Sequence, residues 1–221
     1  METAELCERY RALYVPVVCD TLYGMGLPEQ VLPSELRPLF PEQRMCGIAH
    51  TVQGAPIEPH VSWDEGIPRI LDYLGVFERL QPNSILVSLN PASHVGHFGE
   101  LTANAAKAQK CAGCLLDGNL RDIEGLREIG FQVFYRDLSP LNAIGRWEMV
   151  AEQEPVTMGD VTIHPGDVIL AEFDGVLVIP AADAERVLLR AEEIIAAEGL
   201  VRQEVASGTS PSESFNRHGH I

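Results

Sequence analysis

The central part of the chain alternates short apolar runs with segments whose apolar residues have helical spacing. The apolar runs predict buried strands over Arg44 to Val52, Ile85 to Leu89, Cys114 to Leu116, and Gln132 to Tyr135. The intervening segments predict helices over Trp63 to Leu74, from Gly99-Glu100 onwards, and over Ile123 to Ile129 with Gly130 as C-cap. Strands that alternate with short helices indicate βαβ crossovers and a partly parallel sheet.

Prolines, glycines and polar residues predict where these elements end. Residues 1–27 predict two short helices interrupted near Pro16, the second starting at Asp20-Thr21. Loops or connectors are predicted at Leu36 to Phe40, Gly54 to Ser62, and Asn90 to Phe98, and Asp117-Gly118 is predicted to end the third strand.

The C-terminal part has a different pattern. Val156 to Ile163 alternates, and Asp174-Gly175 is a hairpin signal between two further strands, Val168 to Phe173 and Val176 to Ile179. A long amphipathic helix is predicted after Pro180, followed by a polar arm after Gly208. The economical interpretation is one α/β domain, with N-terminal helices over 1–30, a core over 31–180, and a C-terminal helix and arm over 181–221.

Composition narrows the class of partner. The 221 residues are 46% hydrophobic and 22% charged, as in ordinary globular proteins, and the net charge is −16. So acidic a chain, without a cluster of cations, argues against nucleic-acid binding. No apolar stretch approaches the ~20 residues of a membrane span. The acidic N-terminus is unlike a secretory signal, and five cysteines fit a reducing compartment, so we expect a cytoplasmic protein.

The candidate chemistry lies between Gly99 and Asp122. Glu100 begins a helix, whose free N–H groups can bind an anion, and Arg121-Asp122 follows the next strand. A guanidinium suits a carboxylate and an aspartate suits a divalent cation. The simpler alternatives are a surface ion pair for Arg121-Asp122 and a helix-dipole role for Glu100. If these groups converge, the sequence predicts a metal-assisted site for a small carboxylate, with Asp117 in a turn.

Other candidate motifs are weaker. Cys111-Ala-Gly-Cys114 is a lone CxxC, for which a structural role is the better interpretation. In His94-Val-Gly-His97 a substrate-facing histidine is more plausible than a zinc site, and His218 and His220 are expected to be solvated. The phosphate-binding glycine loops and the G-x-S-x-G elbow are absent.

The block Gly99 to Asp122, GELTANAAKAQKCAGCLLDGNLRD, resembles the signature of the RraA-like family. That family includes class II 4-hydroxy-4-methyl-2-oxoglutarate / 4-carboxy-4-hydroxy-2-oxoadipate aldolases, which also decarboxylate oxaloacetate. Further similar segments are Leu36 to Pro38, Gly47 to Val52, Val161 to Val168, Phe173 to Pro180 and the tail from Glu198 to Gly219. The resemblance covers roughly residues 15–220. It implies a swivelling β/β/α fold with mixed sheets, assembled as a homotrimer or hexamer with active sites between subunits.

The resemblance also implies residue roles. Arg121 would bind the substrate carboxylate, Asp122 would ligate Mg²⁺ or Mn²⁺, and the N–H groups of Leu101 and Thr102 would bind carboxylate or keto oxygen. Glu100 would hold a water of the metal, although the family's aldolases usually have Asp there; Lys110 likewise replaces a common Gly. Glu198 is the candidate acid from a neighbouring subunit. His97 is a further candidate for substrate binding, from its position in the preceding loop.

The implied activity is a metal-dependent lyase that acts on small 2-oxo dicarboxylic acids. Retro-aldol cleavage would give pyruvate and a second carbonyl compound, and decarboxylation of oxaloacetate would give pyruvate and CO₂. The alternative is a non-catalytic regulatory protein, since the member that names the family binds and inhibits a ribonuclease. An acidic surface would suit a basic partner of that kind.

Overall fold

The computed structural model describes residues 1–27, 30–91 and 93–218. Across these residues there are seven helices: α1 (Thr3–Ala12), α2 (Val15–Gly24), α3 (Trp63–Arg79), α4 (Glu100–Ala108), α5 (Ile123–Ile129), α6 (Ala184–Ala206) and α7 (Pro211–His218). The same residues form eleven strands: β1 (Arg37–Pro38), β2 (Met45–Pro56), β3 (Ser84–Leu89), β4 (Gly96–Phe98), β5 (Gly113–Leu120), β6 (Val133–Leu138), β7 (Trp147–Glu152), β8 (Val156–Met158), β9 (Val161–Ile163), β10 (Val168–Glu172) and β11 (Gly175–Ile179).

One mixed sheet organises the described residues. Its nine strands include the path β1-β6-β5-β3-β2-β10-β11, while β4 pairs with β5 and β7 pairs with β2. The strands β2, β3, β5 and β6 are parallel to one another along this path, whereas β10, β11, β1 and β7 pair antiparallel. The predicted α/β class, with a mixed sheet and a C-terminal helix, is therefore confirmed.

The central strands β3 and β5 contain continuous apolar runs, Ile85 to Val87 and Cys114 to Leu116, and both faces of these runs are buried. Leu86 and Leu116 point to the side covered by α3, α4 and α5. Their neighbours Ile85 and Leu115 point to the opposite side, which the small β8–β9 hairpin covers. Continuous apolar runs are the expected pattern for parallel strands covered on both faces. A third cluster joins α1, α2 and α6 to β2, β10 and β11.

Several predicted boundaries are wrong. Helix α2 begins at Val15, and Pro16 lies in its first turn, where a missing N–H costs no helical hydrogen bond. Asp20 and Thr21 are therefore inside the helix, and the Thr21 hydroxyl donates to the Val17 carbonyl at 2.7 Å. In the predicted hairpin Glu172 pairs with Gly175, so the two loop residues are Phe173 and Asp174.

Long-range pairing also turns predicted loops into strands. Strand β1 lies within the predicted loop 36–40, β2 extends into the predicted connector as far as Pro56, and β4 lies within the predicted loop 90–98. Strand β5 continues through Asp117-Gly118 to Leu120, because β4 and β6 both pair with its final residues. The alternating segment 156–163 is two short strands rather than one.

The C-terminal arm is helical and packs against α6. The Ser214 hydroxyl donates to the Glu204 carboxylate at 2.7 Å, and His218 Nε2 lies 3.1 Å from the same carboxylate. His218 is therefore paired rather than freely solvated, while His220 lies outside the described residues.

Within the described part of the chain, none of the helices combines the length and apolarity needed to cross a bilayer. The division into segments 1–30, 31–180 and 181–221 stays a prediction.

Candidate functional site

The site is built where β4 and β5 end side by side. Phe98 pairs with Leu120, and the Arg121 amide donates to the Phe98 carbonyl at 3.0 Å. The residues that follow each strand, Gly99 on one side and Arg121-Asp122 on the other, are therefore in contact. This is the convergence that the sequence predicted, at the C-terminal edge of a parallel arrangement where ligands of open α/β sheets bind.

Asp122 is held in an unusual backbone conformation. Its φ and ψ are 57° and 44°, in the left-handed region, where it forms the N-cap of α5. Its Oδ1 accepts from Arg121 Nε at 3.2 Å and its Oδ2 accepts from the Glu100 amide at 3.4 Å. Aspartate is one of the few residues other than glycine that adopts this region.

Two glycines allow the close approach of these elements. A Cβ on Gly99 would lie 2.4 Å from Asp122 Oδ2 and 2.9 Å from Arg121 Cγ. A Cβ on Gly96 would lie 2.9 Å from Arg121 Cβ. The backbone of the β4–α4 turn therefore forms a cradle for the Arg121-Asp122 pair, whose side chains keep 34% and 39% of their surface exposed.

The first turn of α4 supplies hydrogen-bond donors. The Thr102 hydroxyl accepts from the Gly99 amide and donates to the Gly99 carbonyl, both at 2.9 Å, which fixes the start of the helix. The amides of Leu101 and Thr102 belong to the first turn and so have no acceptor within the helix. The helix dipole adds partial positive charge at the same point.

These groups line a cavity of about 300 Å³. One part of its wall is Gly96, His97, Gly99, Leu101, Thr102, Arg121 and Asp122. The other part comes from α3 and from the segment before β7, with Ile70, Tyr73, Leu74, Asn142, Ala143 and Ile144. Of the predicted site residues, the structure brings together Leu101, Thr102, Arg121, Asp122 and His97.

His97 is a neutral member of this wall. It is 5% exposed, and its Nε2 lies 2.7 Å from the Ser93 hydroxyl. Burial lowers the pKa of His97 to about 4. An imidazole with this pKa is uncharged at neutral pH, so it contributes shape and hydrogen bonding rather than positive charge.

Two predicted acids lie elsewhere in this chain. The Glu100 carboxylate lies over α5, where a Cβ on Gly125 would be 2.5 Å from its Oε2, and Glu100 does not border the cavity. Glu198 is buried on α6, where it accepts hydrogen bonds from Arg202 at 2.7 Å and from the Tyr14 hydroxyl. Burial, together with Glu198, raises the pKa of Tyr14 to about 12. The role of Glu198 in a neighbouring subunit stays a prediction.

The other residues singled out in the sequence lie outside the cavity. Cys111 and Cys114 are both buried, and burial raises the pKa of each thiol, which suits core residues rather than metal ligands. Asp117 lies within β5 and pairs with Arg136 at 2.5 Å, so its predicted turn role is wrong. His94 is exposed. In the part of the chain that the structure describes, no cluster of three or more His, Cys, Asp or Glu is arranged to hold a metal.

Sequence reasoning missed the second wall of the cavity. Ile70 lies within the helix predicted over Trp63 to Leu74, but nothing in the sequence links that helix to Arg121, about fifty positions further along the chain. The segment 142–144 was not assigned to any element. Its approach to the site depends on β7, which pairs antiparallel with β2 and was not predicted.

Comparison with known proteins supports the family resemblance. The model of the RraA-like family, described as Aldolase/RraA, matches residues 15–178. A putative 4-hydroxy-4-methyl-2-oxoglutarate aldolase of Halalkalibacterium halodurans is 28% identical over 189 residues, which cover 84% of this chain and 81% of the relative. Protein DlpA of Legionella pneumophila is 26% identical over 193 residues, or 87% of this chain, and the match spans only 30% of DlpA.

Solved structures share the fold over most of their length. A structure described as a novel cellulase from microbes associated with the gut ecosystem has a TM-score of 0.83 and 32% identity, covering 90% of this chain and 87% of its own. RraAS2 of Streptomyces coelicolor, described as an unusual member of the RNase ES inhibitor RraA protein family, has a TM-score of 0.77 and 25% identity. The match with RraAS2 covers 91% of this chain and 97% of that protein.

Proposed function

Since the chain belongs to the RraA-like family, we propose that it is a divalent-metal-dependent lyase that cleaves a carbon–carbon bond of small 2-oxo acids and releases pyruvate. The observation that carries the proposal is the cavity of about 300 Å³. It combines a guanidinium, a carboxylate and the start of a helix on one wall. The similarity to a putative aldolase over 84% of this chain points to the same chemistry.

Arg121 and the start of α4 form the proposed carboxylate-binding part of the site. The Arg121 side chain is one-third exposed and lines the cavity, so its fork can approach a ligand. The amides of Leu101 and Thr102 lie in the first turn of α4, whose dipole also favours an anion. Together they can bind the carboxylate and the neighbouring keto oxygen of a 2-oxo acid and neutralise the charge that develops during bond cleavage.

The residues present fit a divalent cation at Asp122. Mg²⁺ commonly uses one or two protein carboxylates, and takes its remaining ligands from substrate and water. The cradle at Gly99 leaves room for the Asp122 carboxylate, where any larger residue would crowd it, and the Glu100 amide and Arg121 Nε orient its two oxygens. When bound, Mg²⁺ or Mn²⁺ would supply Lewis-acid stabilisation of enolate charge.

The polar groups around the cavity differ in their capacity to move a proton. His97 is neutral at ordinary pH and its Nε2 is engaged with Ser93, so we assign it no proton transfer. Glu100 faces α5 and could serve only after its side chain rotates towards Asp122. Glu198, the proposed acid in the site of a neighbouring subunit, is buried against Arg202 and Tyr14 of its own chain and would have to leave them to act there. The pyruvate enolate then takes its proton from water.

Exchange of the methyl protons of pyruvate in D₂O tests this proposal independently of the leaving group. The retro-aldol product is the enolate of pyruvate, so the enzyme should also catalyse its formation from pyruvate. We expect the proton NMR methyl signal to decay in the presence of Mg²⁺ or Mn²⁺, and EDTA to stop the decay. Pyruvate release from oxaloacetate provides a second measurement. Metal-independent exchange, or none, would overturn the proposal.

Variants of the Arg121-Asp122 pair identify the site. Asp122→Asn retains a residue that tolerates the left-handed region, and Asp122→Ala removes the carboxylate altogether; both should abolish metal-dependent exchange. Arg121→Ala should weaken binding of pyruvate by about 2 kcal/mol, the lower end of the cost of removing one partner of a buried charge pair, because the Arg121 side chain is 34% exposed. An unchanged KM in Arg121→Ala would reject its assigned role.

A second candidate is a non-catalytic regulatory protein that binds a ribonuclease or another basic protein. The similarity to Streptomyces coelicolor RraAS2, at 25% identity, and the net charge of −16 favour it. Binding of a basic partner with no EDTA-sensitive pyruvate chemistry would support this candidate over the lyase.

A further inference from the structure

The wall of the cavity that α3 supplies contains a buried hydroxyl without a partner. Tyr73 lines the cavity and is 1% exposed, and its Oη makes no hydrogen bond with any described residue. Edge-on contacts with Phe77 and Trp147, at ring-centroid distances of 5.4 and 4.9 Å, hold the tyrosine ring. Buried tyrosine hydroxyls usually have a partner, because an unsatisfied polar group costs free energy. The Tyr73 hydroxyl is therefore a group that a ligand can complete.

Two other polar side chains that line the cavity each have a partner in the chain. Asn142 is half-buried, and its Oδ1 accepts a hydrogen bond from Arg146 Nη1 at 3.2 Å. His97 Nε2 is engaged with the Ser93 hydroxyl, although its Nδ1 is unpaired within the described chain. Tyr73 differs from both, because the one polar atom of its side chain is the unpaired atom.

The position of Tyr73 within its own chain decides where a partner for Oη can come from. Apart from the cavity, the ring is surrounded by the apolar core around α3. Since the chain already buries Tyr73, a neighbouring subunit can approach Oη only from the cavity, as a substrate does. Burial raises the pKa of Tyr73 well above its ordinary value, so the hydroxyl is a neutral donor at neutral pH.

We propose that the Tyr73 hydroxyl donates a hydrogen bond to the oxygen on C4 of a 4-hydroxy-2-oxo acid, and that this contact favours aldol cleavage over decarboxylation. The inference rests on the proposed lyase function and assigns the part of the site that receives C4. A substrate whose carboxylate binds at Arg121 directs its C4 towards the other wall of the cavity, which includes Tyr73. Tyr73 is thus a specificity-determining residue that selects between two reactions of the same site.

The two reactions change the charge on the C4 substituent in opposite directions. In aldol cleavage the C4 hydroxyl gives its proton to water and becomes a carbonyl, and the electron pair of the broken C3–C4 bond stays on C3 as the enolate of pyruvate. The C4 oxygen carries negative charge during this step, so a donor to it binds more strongly in the transition state. In decarboxylation of oxaloacetate the C4 carboxylate loses its charge as CO₂ leaves, so the same hydrogen bond weakens and gives no acceleration. In both reactions the enolate then takes a proton from water.

Tyr73→Phe tests the inference because it removes the hydroxyl and keeps the ring. Three reactions are compared in the variant and in wild type: cleavage of the adduct of two pyruvates, decarboxylation of oxaloacetate, and methyl exchange of pyruvate. We expect kcat/KM for cleavage of the adduct to fall about 100-fold relative to the other two reactions, the loss typical of removing one donor to a developing oxyanion. Unchanged ratios, or an equal fall in all three reactions, would overturn the inference.

Tyr10→Phe is a matched control, since Tyr10 is a buried tyrosine outside the cavity whose hydroxyl has a partner. It donates to the Ala184 carbonyl at 2.6 Å. Tyr10→Phe should lower the urea midpoint and leave the ratios of the three reactions as in wild type. Tyr73→Phe should keep or raise the urea midpoint, because it removes an unsatisfied group. A midpoint that falls in Tyr73→Phe as it does in Tyr10→Phe would show that Oη is bonded to protein, in this chain or a neighbouring one, and would contradict the inference.

The methyl-exchange measurement separates failure of this inference from failure of the proposed function. Pyruvate has no C4, so its exchange does not depend on a donor to the C4 oxygen. If wild type shows metal-dependent exchange and does not cleave the adduct, the role of Tyr73 is overturned and the pyruvate chemistry stays intact. If wild type shows no metal-dependent exchange, the lyase function is overturned, and the inference with it.

Discussion

Replacement of Gly99 by alanine tests whether the cradle positions Asp122. The added Cβ would lie 2.4 Å from Asp122 Oδ2, whereas ordinary contacts begin at 3.4 Å, so the carboxylate must move by about 1 Å. Gly99 has a φ of −159°, an extended conformation that alanine also adopts. The substitution therefore acts through contacts of the new Cβ with the side chains of Asp122 and, at 2.9 Å, Arg121, rather than through backbone strain.

We expect Gly99→Ala to lower the rate of methyl exchange strongly and the free energy of unfolding only modestly. A displacement of about 1 Å at a reacting group costs about 100-fold in rate, or ~2.7 kcal/mol at about 1.36 kcal/mol for each factor of ten. Because the Asp122 side chain is 39% exposed and can move aside, the loss of folding free energy should stay within the ~1–3 kcal/mol typical of overpacking.

The assay combines three measurements on Gly99→Ala and wild type. Mn²⁺ affinity in the presence of pyruvate is measured by calorimetry, methyl exchange by NMR, and unfolding free energy by urea titration. Gly24→Ala is a matched control, since a Cβ there has nothing within 4 Å. Wild-type Mn²⁺ affinity and exchange in Gly99→Ala would refute the argument that this contact sets the position of Asp122.

Two further predictions concern groups outside the cavity. The Arg79 hydrogen bond, and then His50, lower the pKa of Glu152; its contribution to stability is therefore present above its unfolded-state pKa and lost as pH falls through the lower folded-state pKa. Urea midpoints measured down the acid range should fall less in Glu152→Gln than in wild type, and parallel curves would contradict this. Cys111 and Cys114 should resist iodoacetamide until the protein unfolds, because burial raises their pKa; rapid alkylation in the native state, or stoichiometric zinc binding, would contradict a structural role.

Apolar spacing and capping residues were sufficient to predict the elements whose bounds depend on one segment alone. Helix α5 has the predicted bounds, and Gly130 ends it with a φ of 66° and an amide that donates to the Leu126 carbonyl at 3.0 Å. The start of α4 at Glu100 was equally local. The sequence therefore predicts a strand, a helix, a second strand and then the Arg-Asp pair, in that order. These elements supply the wall of the cavity formed by Arg121, Asp122 and α4.

Pairing between distant segments overrode local signals elsewhere. Asp117-Gly118 has the composition of a turn, yet parallel neighbours and the Arg136 ion pair keep it in β5. Strand β7 follows a segment without a clear period, and its pairing with β2 bridges about 95 positions. No property of residues 142–144 alone indicates that they line a cavity opposite Arg121, so the second wall of the cavity could not be derived from the sequence.

At Asp122 the requirements of stability and of the proposed activity differ, because its left-handed backbone favours glycine whereas metal binding needs the carboxylate. A residue other than glycine in this region costs of order 1 kcal/mol. A selection that rewards thermal stability alone should therefore favour the substitution Asp122→Gly, which relaxes the backbone and removes the proposed metal ligand in one step. Stabilised descendants of this chain would then keep the fold and lack the proposed metal ligand, and with it the proposed lyase activity.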